Sequence, residues 1–141
     1  MEVIFCDLYY QILKQYLKDN ENLLNIGIKN NNLINIWKCL NIKTVVCLDT
    51  SKTNIFEAIR YLKFNQGLEN FKFYYFQNSF DEILNKKNIF LKYNVIISFN
   101  FVTQLFKDNN SIKHFFHDLY NISTQKTNII LVIPNFSFFK N

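Results

Sequence analysis

The chain has 141 residues, of which 49% are hydrophobic, and a formal net charge of +5 from 16 Lys and Arg against 11 Asp and Glu. That length suits one domain able to bury roughly 70% of the surface its unfolded chain exposes, and the apolar content excludes intrinsic disorder. Three widely spaced cysteines (Cys6, Cys39 and Cys47) form no CxxC pair, which excludes a disulfide framework and points to reduced thiols in a cytoplasmic protein.

Glu2 and Asp7 flank a short apolar patch at the N-terminus, which is not the pattern of a signal peptide, and no apolar run reaches the length of a membrane span. With two glycines and one proline in the chain, asparagine is expected to serve most turns, because it tolerates positive φ better than other residues with a β-carbon. The bias toward Asn, Ile, Lys and Phe also suits an AT-rich genome.

Ile4, Leu8, Ile12, Leu13, Tyr16 and Leu17 lie on one stripe, which predicts an amphipathic helix from Ile4 to Lys18 that packs on the rest of the domain. Asp19–Asn22 breaks it, and Leu23–Ile28 reads as a short strand. Leu33, Ile34, Trp37 and Leu40 then repeat at helical spacing, and Thr44–Leu48 is a β-branched strand. Ser51 or Thr53 is placed to cap a third helix with Ile55, Phe56, Ile59 and Leu62 on its apolar face. Gly67 falls in the following loop.

Phe71–Phe76 reads as an aromatic strand, and Phe80, Ile83 and Leu84 as a brief helix. Tyr93–Phe99 is the fourth strand. Ser111 is placed to cap a helix running to about Ile122, with Ile112, Phe115, Phe116 and Leu119 inside, and Asn128–Ile133 is a fifth strand stopped by Pro134-Asn135. Strands alternating with helices predict an α/β fold with a mainly parallel sheet covered on both faces.

The turn after the first strand and the end of the second carry the chemistry. A strand leading through Gly27 into a helix, beside a second strand ending in Asp49, is the layout of a nucleotide-type cofactor site: backbone N–H groups face the ligand and the acid accepts from a ribose diol. The glycine-rich fingerprint is reduced to Gly27, with Asn30, Asn31 and Asn32 following. A bland alternative has Asp49 capping the helix that starts near Lys52.

Elsewhere the chemistry is sparse. His114 and His117 lack a third ligand and read as an exposed pair, not a metal site. A Walker A loop, a serine-hydrolase elbow and paired acid/base carboxylates are all missing from the sequence. The basic balance suits nucleic acid or an acidic partner, although clusters such as Lys86-Lys87 are ordinarily just solvated.

Five segments taken together carry a resemblance: Leu24–Leu33, Val46–Ser51, Phe76–Ser79, Tyr93–Val102 and Ile133–Asn135. In order and spacing, Leu23 to Asn141 resembles the methyltransferase domain of mRNA cap (guanine-N7) methyltransferases, especially those of poxvirus-type capping enzymes. The resemblance implies a Rossmann-like S-adenosylmethionine-dependent methyltransferase fold, truncated after the fifth strand, with residues 1–141 as one domain and 1–20 as a helix on the sheet. S-adenosylmethionine is the implied cofactor, and Asn25, Gly27, Lys29, Asp49, Thr50, Asn78, Ser79 and Asn100 are the implied binding residues. Asn100 stands where the family has glutamine, and Gln104 where a histidine follows. No catalytic residue is implied, because such enzymes act mainly by holding methyl donor and acceptor in line.

Departures from the family all run in one direction. Asn25, Asn78 and Asn94 stand where it typically has aspartate, the second glycine of the turn is lost, and Asn30 and Asn31 carry β-carbons where backbone must approach the cofactor. Hydrogen bonds to charged groups contribute roughly 1.5–3 kcal/mol each, so losing two weakens binding about a hundredfold or more. The expectation is a pseudoenzyme: a non-catalytic accessory or stimulatory subunit of a viral-type mRNA-capping apparatus. Its expected partner is another capping-enzyme subunit or methyltransferase domain, with capped RNA as a further partner and no membrane or metal. The alternatives are an active but divergent cap methyltransferase and a basic RNA-binding module that keeps only the fold.

Overall fold

In a computed structural model, residues 2–65, 70–77, 79–86, 92–99, 101 and 108–133 are described. Ten elements follow in chain order: α1 (Glu2–Tyr16), β1 (Asn22–Ile26), α2 (Asn32–Cys39), β2 (Thr44–Asp49), α3 (Lys52–Phe64), β3 (Phe71–Tyr75), α4 (Phe80–Lys86), β4 (Val95–Phe99), α5 (Asn109–Ile122) and β5 (Asn128–Val132). The five strands form one parallel sheet in the order β3-β2-β1-β4-β5. Each crossover carries a helix, as parallel neighbours require.

The period of two along each strand divides the core. Leu23, Val45, Cys47, Val95 and Ile97 face Tyr9 and Leu13 of α1, Leu33, Ile34 and Trp37 of α2, and Ile55, Ala58 and Leu62 of α3. Their alternates Leu24, Ile26, Val46, Leu48 and Ile96 face Phe80 and Leu84 of α4 and Phe115, Leu119 and Ile122 of α5. The result is the expected α/β architecture with helices on both faces. Phe5 and Tyr9 pack edge-on against Phe99 with ring centroids 4.4 and 6.0 Å away, which seats α1 at the carboxyl end of β4.

Asparagine shapes the loops differently from expectation. Among the described residues only Asn20 (φ +62°) takes positive φ without being glycine. Two others work through their amides: Asn94 Oδ1 accepts from the Asn22 backbone N–H at 2.8 Å, and Asn70 Nδ2 donates to the Lys43 carbonyl at 2.8 Å. Asparagine side chains thus lace the amino edge of the sheet.

Several local expectations are corrected. The first strand ends at Ile26, not Ile28, because Gly27 adopts φ +95° and leaves the β region. Ser51, rather than Thr53, caps α3 by accepting from Asn54 N–H. Asp108 caps α5, accepting from the N–H of Ser111, the residue expected in that role. Phe56 and Phe116, assigned to buried faces, are 71% and 49% exposed. Pro134 and Asn135 lie outside the described residues.

The order of strands reverses at β1. Its chain leaves toward β2 on one side, while β4 and β5 lie on the other. Such a switch point opens a crevice at the carboxyl ends of β1 and β4, where open α/β sheets bind ligands.

Candidate cofactor site at the carboxyl edge of the sheet

Gly27 forms the floor of this crevice. Its N–H donates to the Leu48 carbonyl at 2.6 Å, and its φ of +95° disfavours any side chain. Space closes the position independently: a β-carbon there would lie 2.4 Å from Phe101 Cγ. Phe101, 2% exposed, therefore packs its ring directly over Gly27. Nothing in the sequence ahead of the fold singled out Phe101, because glycine and phenylalanine meet only through the β1–β4 pairing.

Asp49 ends β2 and is 2% exposed. One carboxylate oxygen, Oδ2, accepts from the Ile28 backbone N–H at 2.7 Å and from Asn54 Nδ2 at 3.4 Å. The other, Oδ1, accepts from the Ser51 backbone N–H at 2.8 Å. The acid therefore joins the turn leaving β1 to the start of α3. Asp49 stands at the carboxyl edge of the sheet, and its oxygens organise the entry to α3, while Ser51 itself supplies the cap.

Asn25 of β1 lies on the same face of the sheet as Cys47 and Asp49, 1% exposed, in a buried hydrogen-bond chain. Trp37 Nε1–H donates to Tyr9 Oη at 2.9 Å, and the Tyr9 hydroxyl donates to Asn25 Oδ1 at 2.7 Å. Asn25 Nδ2 then donates to the Gly27 carbonyl at 2.7 Å and to Cys47 Sγ at 3.7 Å. The polarity of this chain is set at both ends, because an indole N–H only donates and a carbonyl only accepts. An amide fits the middle and an ionised aspartate does not, since it has no proton to give Gly27. The absence of an acid here has a structural reason of its own.

Burial pushes the Tyr9 phenol and the Cys47 thiol well above their ordinary ranges. Cys47 accordingly stays a thiol and is no nucleophile.

The remaining predicted site residues are dispersed. Lys29 is exposed and Thr50 half-buried at the two turns. Ser79 is 6% exposed, and its hydroxyl donates to Asp118 Oδ2 of α5 at 2.9 Å, tying the loop after β3 to that helix. Asn78, Asn100 and Gln104 lie outside the described residues. The Asp118 carboxylate is also 3.7 Å from His114 Nε2. With a carboxylate rather than an imidazole against the hydroxyl, this group does not activate Ser79 as a nucleophile. Among the described residues no cluster of His, Cys, Asp and Glu is arranged to hold a metal, and no helix is long and apolar enough to cross a membrane.

One further polar contact supports the crevice. Ser98 of β4, fully buried, donates from Oγ to the Ile26 carbonyl at 3.0 Å, satisfying a group left open where β1 ends. Gly27, Ile28, Lys29, Asp49 and Thr50 are the described residues of the two turns at this edge. Backbone N–H donors at the α2 turn and a carboxylate acceptor at the end of β2 are group types that fit S-adenosylmethionine.

Neither a family model nor a curated protein sequence matches the chain. Solved structures do. A proposed S-adenosyl-L-methionine-dependent methyltransferase of Methanococcus maripaludis aligns with a TM-score of 0.62 at 16% identity, over 92% of this chain and 58% of its own. A proposed methyltransferase of Bacillus halodurans aligns with a TM-score of 0.59 at 15% identity, over 86% of this chain and 49% of its own. The precorrin-8w decarboxylase of Methanobacterium thermoautotrophicum aligns with a TM-score of 0.65 at 11% identity, over 95% of this chain and 66% of its own. The chain spans about half to two thirds of the length of these structures. It has the Rossmann-like fold of S-adenosylmethionine-dependent methyltransferases, and the spread of names among its neighbours illustrates that one fold hosts several activities.

Proposed function

We propose that this chain is a non-catalytic, methyltransferase-like accessory or stimulatory subunit of an mRNA-capping apparatus. The observation that carries the non-catalytic part is the commitment of Asp49: its buried carboxylate is held by Ile28 N–H, Ser51 N–H and Asn54 Nδ2. An acid that reads a ribose diol needs lone pairs facing the crevice, and three of the roughly four lone-pair sites on this carboxylate already serve its own loops. Lys29, Asn30 and Asn31 add β-carbons along the same turn. The assignment to capping rests on the order and spacing of the sequence segments that resemble cap methyltransferases.

The outer edge of β5 supports a role in assembly. Among the described residues no strand pairs with that edge, and Asn128–Ile133 carries no charge. Ile129 and Ile133 are 42% and 50% exposed. At the opposite edge, β3 presents exposed Lys72, a common guard against unwanted pairing. An uncharged apolar edge suits a strand supplied by the partner capping subunit.

The test is reconstitution with a cap guanine-N7 methyltransferase domain from the same source. The expected outcome is co-elution and a several-fold gain in methyl transfer, both lost when Ile129 or Leu131 is replaced by lysine. Absence of co-elution and of stimulation would overturn the accessory reading.

Gly27 and the edge position of Asp49 favour one alternative, an active but divergent S-adenosylmethionine-dependent cap methyltransferase. Methyl transfer to capped RNA by the chain alone, abolished by Asp49→Ala, would establish it.

A further inference from the structure

One peptide unit at the carboxyl edge of the sheet is held at both of its polar groups by buried side chains. The Gly27 carbonyl accepts from Asn25 Nδ2 at 2.7 Å, and the Ile28 N–H of the same peptide donates to Asp49 Oδ2 at 2.7 Å. Turning that peptide over would set its N–H against the Asn25 amide donor and its carbonyl against a carboxylate. Its orientation therefore depends on which way the Asn25 amide faces.

Asn25 takes its direction from outside the turn. Trp37 Nε1–H of α2 donates to Tyr9 Oη of α1, the Tyr9 proton goes to Asn25 Oδ1, and Asn25 Nδ2 is left for Gly27. Inverting the amide would strand the buried Tyr9 proton, which has Asn25 as its acceptor. Among the described residues of α1 only Tyr9 and Leu13 are fully buried, while Leu8 and Tyr16 are 48% and 42% exposed. The helix joins β1 across exposed Lys18, Asp19 and Asn20, the last at φ +62°. A helix of 15 residues is marginal away from its packing surface, and an element held this lightly opens while the sheet stays formed.

We propose that α1 and the Gly27–Ile28 peptide form one two-state element, with Tyr9 as the positioning residue that joins them. With α1 docked, Asn25 and Asp49 hold both polar groups of this peptide and the floor of the crevice is fixed. With α1 released, nothing aims the Asn25 amide, and the peptide is free to turn. Occupancy of the crevice and any grip on α1 are then coupled, each changing the affinity for the other by the same factor. The element rests on the hydrogen-bond relay alone and holds whether or not the chain serves an mRNA-capping apparatus.

The test is hydrogen exchange followed by two-dimensional NMR on the whole chain with no ligand added. Trp37 is the sole tryptophan, so its indole N–H gives a single signal at one end of the relay, and the Ile28 amide reports the other end. Both protons are expected to exchange with the same protection, at least tenfold below that of the amides in the β1–β2 ladder. Leu13→Val weakens the packing of α1 without touching the relay, and should speed both protons equally, about threefold or more. Tyr9→Phe keeps the ring but cuts the relay, so in that background Leu13→Val should leave the Ile28 amide unchanged. An Ile28 amide indifferent to Leu13→Val in the native chain would overturn the coupling, as would protection equal to that of the ladder amides. An equal response to Leu13→Val with and without the Tyr9 hydroxyl would overturn the role of Tyr9.

Discussion

Asp49 Oδ2 accepts a hydrogen bond from the Ile28 backbone N–H at 2.7 Å, so the acid that ends β2 clamps the turn that leaves β1. The same carboxylate reaches Ser51 N–H at the entry of α3. Two loops at the ligand edge of the sheet are thereby joined through one charge. The consequences for stability and for ligand binding are separable.

Asp49→Asn should destabilise the protein by about 2 kcal/mol, because an amide presents a donor to one of two backbone N–H groups and loses the charge-assisted bond to the other. Urea unfolding with an unchanged m-value measures it. An acid kept in reserve for a ligand would cost little to neutralise without that ligand. A neutral or stabilising substitution would show that Asp49 is not a structural clamp.

Gly27→Ala should cost about 2 kcal/mol or more, combining positive φ with overpacking against Phe101. Phe101→Ala removes the ring but not the φ penalty. The double variant should therefore be more stable than the sum of the two single losses predicts, by about 0.5–3 kcal/mol for contacting residues. Strict additivity would contradict the packing of that ring over Gly27.

Tyr9→Phe should cost about 1–3 kcal/mol by leaving both Trp37 Nε1–H and Asn25 Oδ1 without their buried partner. Asn25→Asp should be destabilising at neutral pH and recover part of its loss on acidification, when a protonated carboxyl regains a donor for the Gly27 carbonyl. Chemical unfolding at pH 5 and pH 8 distinguishes the two charge states.

Stability should also fall in alkali. The Cys47 thiol, raised by burial from an ordinary value of 9.0, and the Tyr9 phenol, raised likewise from 10.0, keep their protons in the fold. The unfolded chain releases them above those ordinary values, so it binds fewer protons than the native state and stability declines as pH rises. Each group contributes at most about 1.4 kcal/mol per pH unit above its unfolded pKa. Thermal unfolding from pH 7 to 11 reads the decline, and Cys47→Ala should remove the part that begins near pH 9.

The architecture was legible because all five strands are short apolar or aromatic runs separated by helical stretches, as in Val45–Leu48 and Val95–Phe99. Phe56 and Phe116 misled because helical spacing identifies a stripe but not its borders, and each falls just beyond one. Asp108 and Ser111 both suit an N-cap, and only the fold decides between them. Of the site, Gly27 and Asp49 were visible as a turn and a strand-ending acid. Their partners were not: Ile28 lies 21 residues from Asp49, Tyr9 lies 16 from Asn25, and Phe101 meets Gly27 through strand pairing alone. Asparagine in place of aspartate read as erosion of a cofactor motif, whereas at Asn25 the buried chain from Trp37 to the Gly27 carbonyl requires an amide.

The most direct measurement is calorimetric titration of the folded chain with S-adenosylmethionine and S-adenosylhomocysteine, with Asp49→Ala as the control. An Asp49 held by its own loops predicts no saturable heat up to millimolar ligand in either protein. Micromolar binding by the native chain, lost in Asp49→Ala, would contradict that account and return the protein to the active methyltransferases.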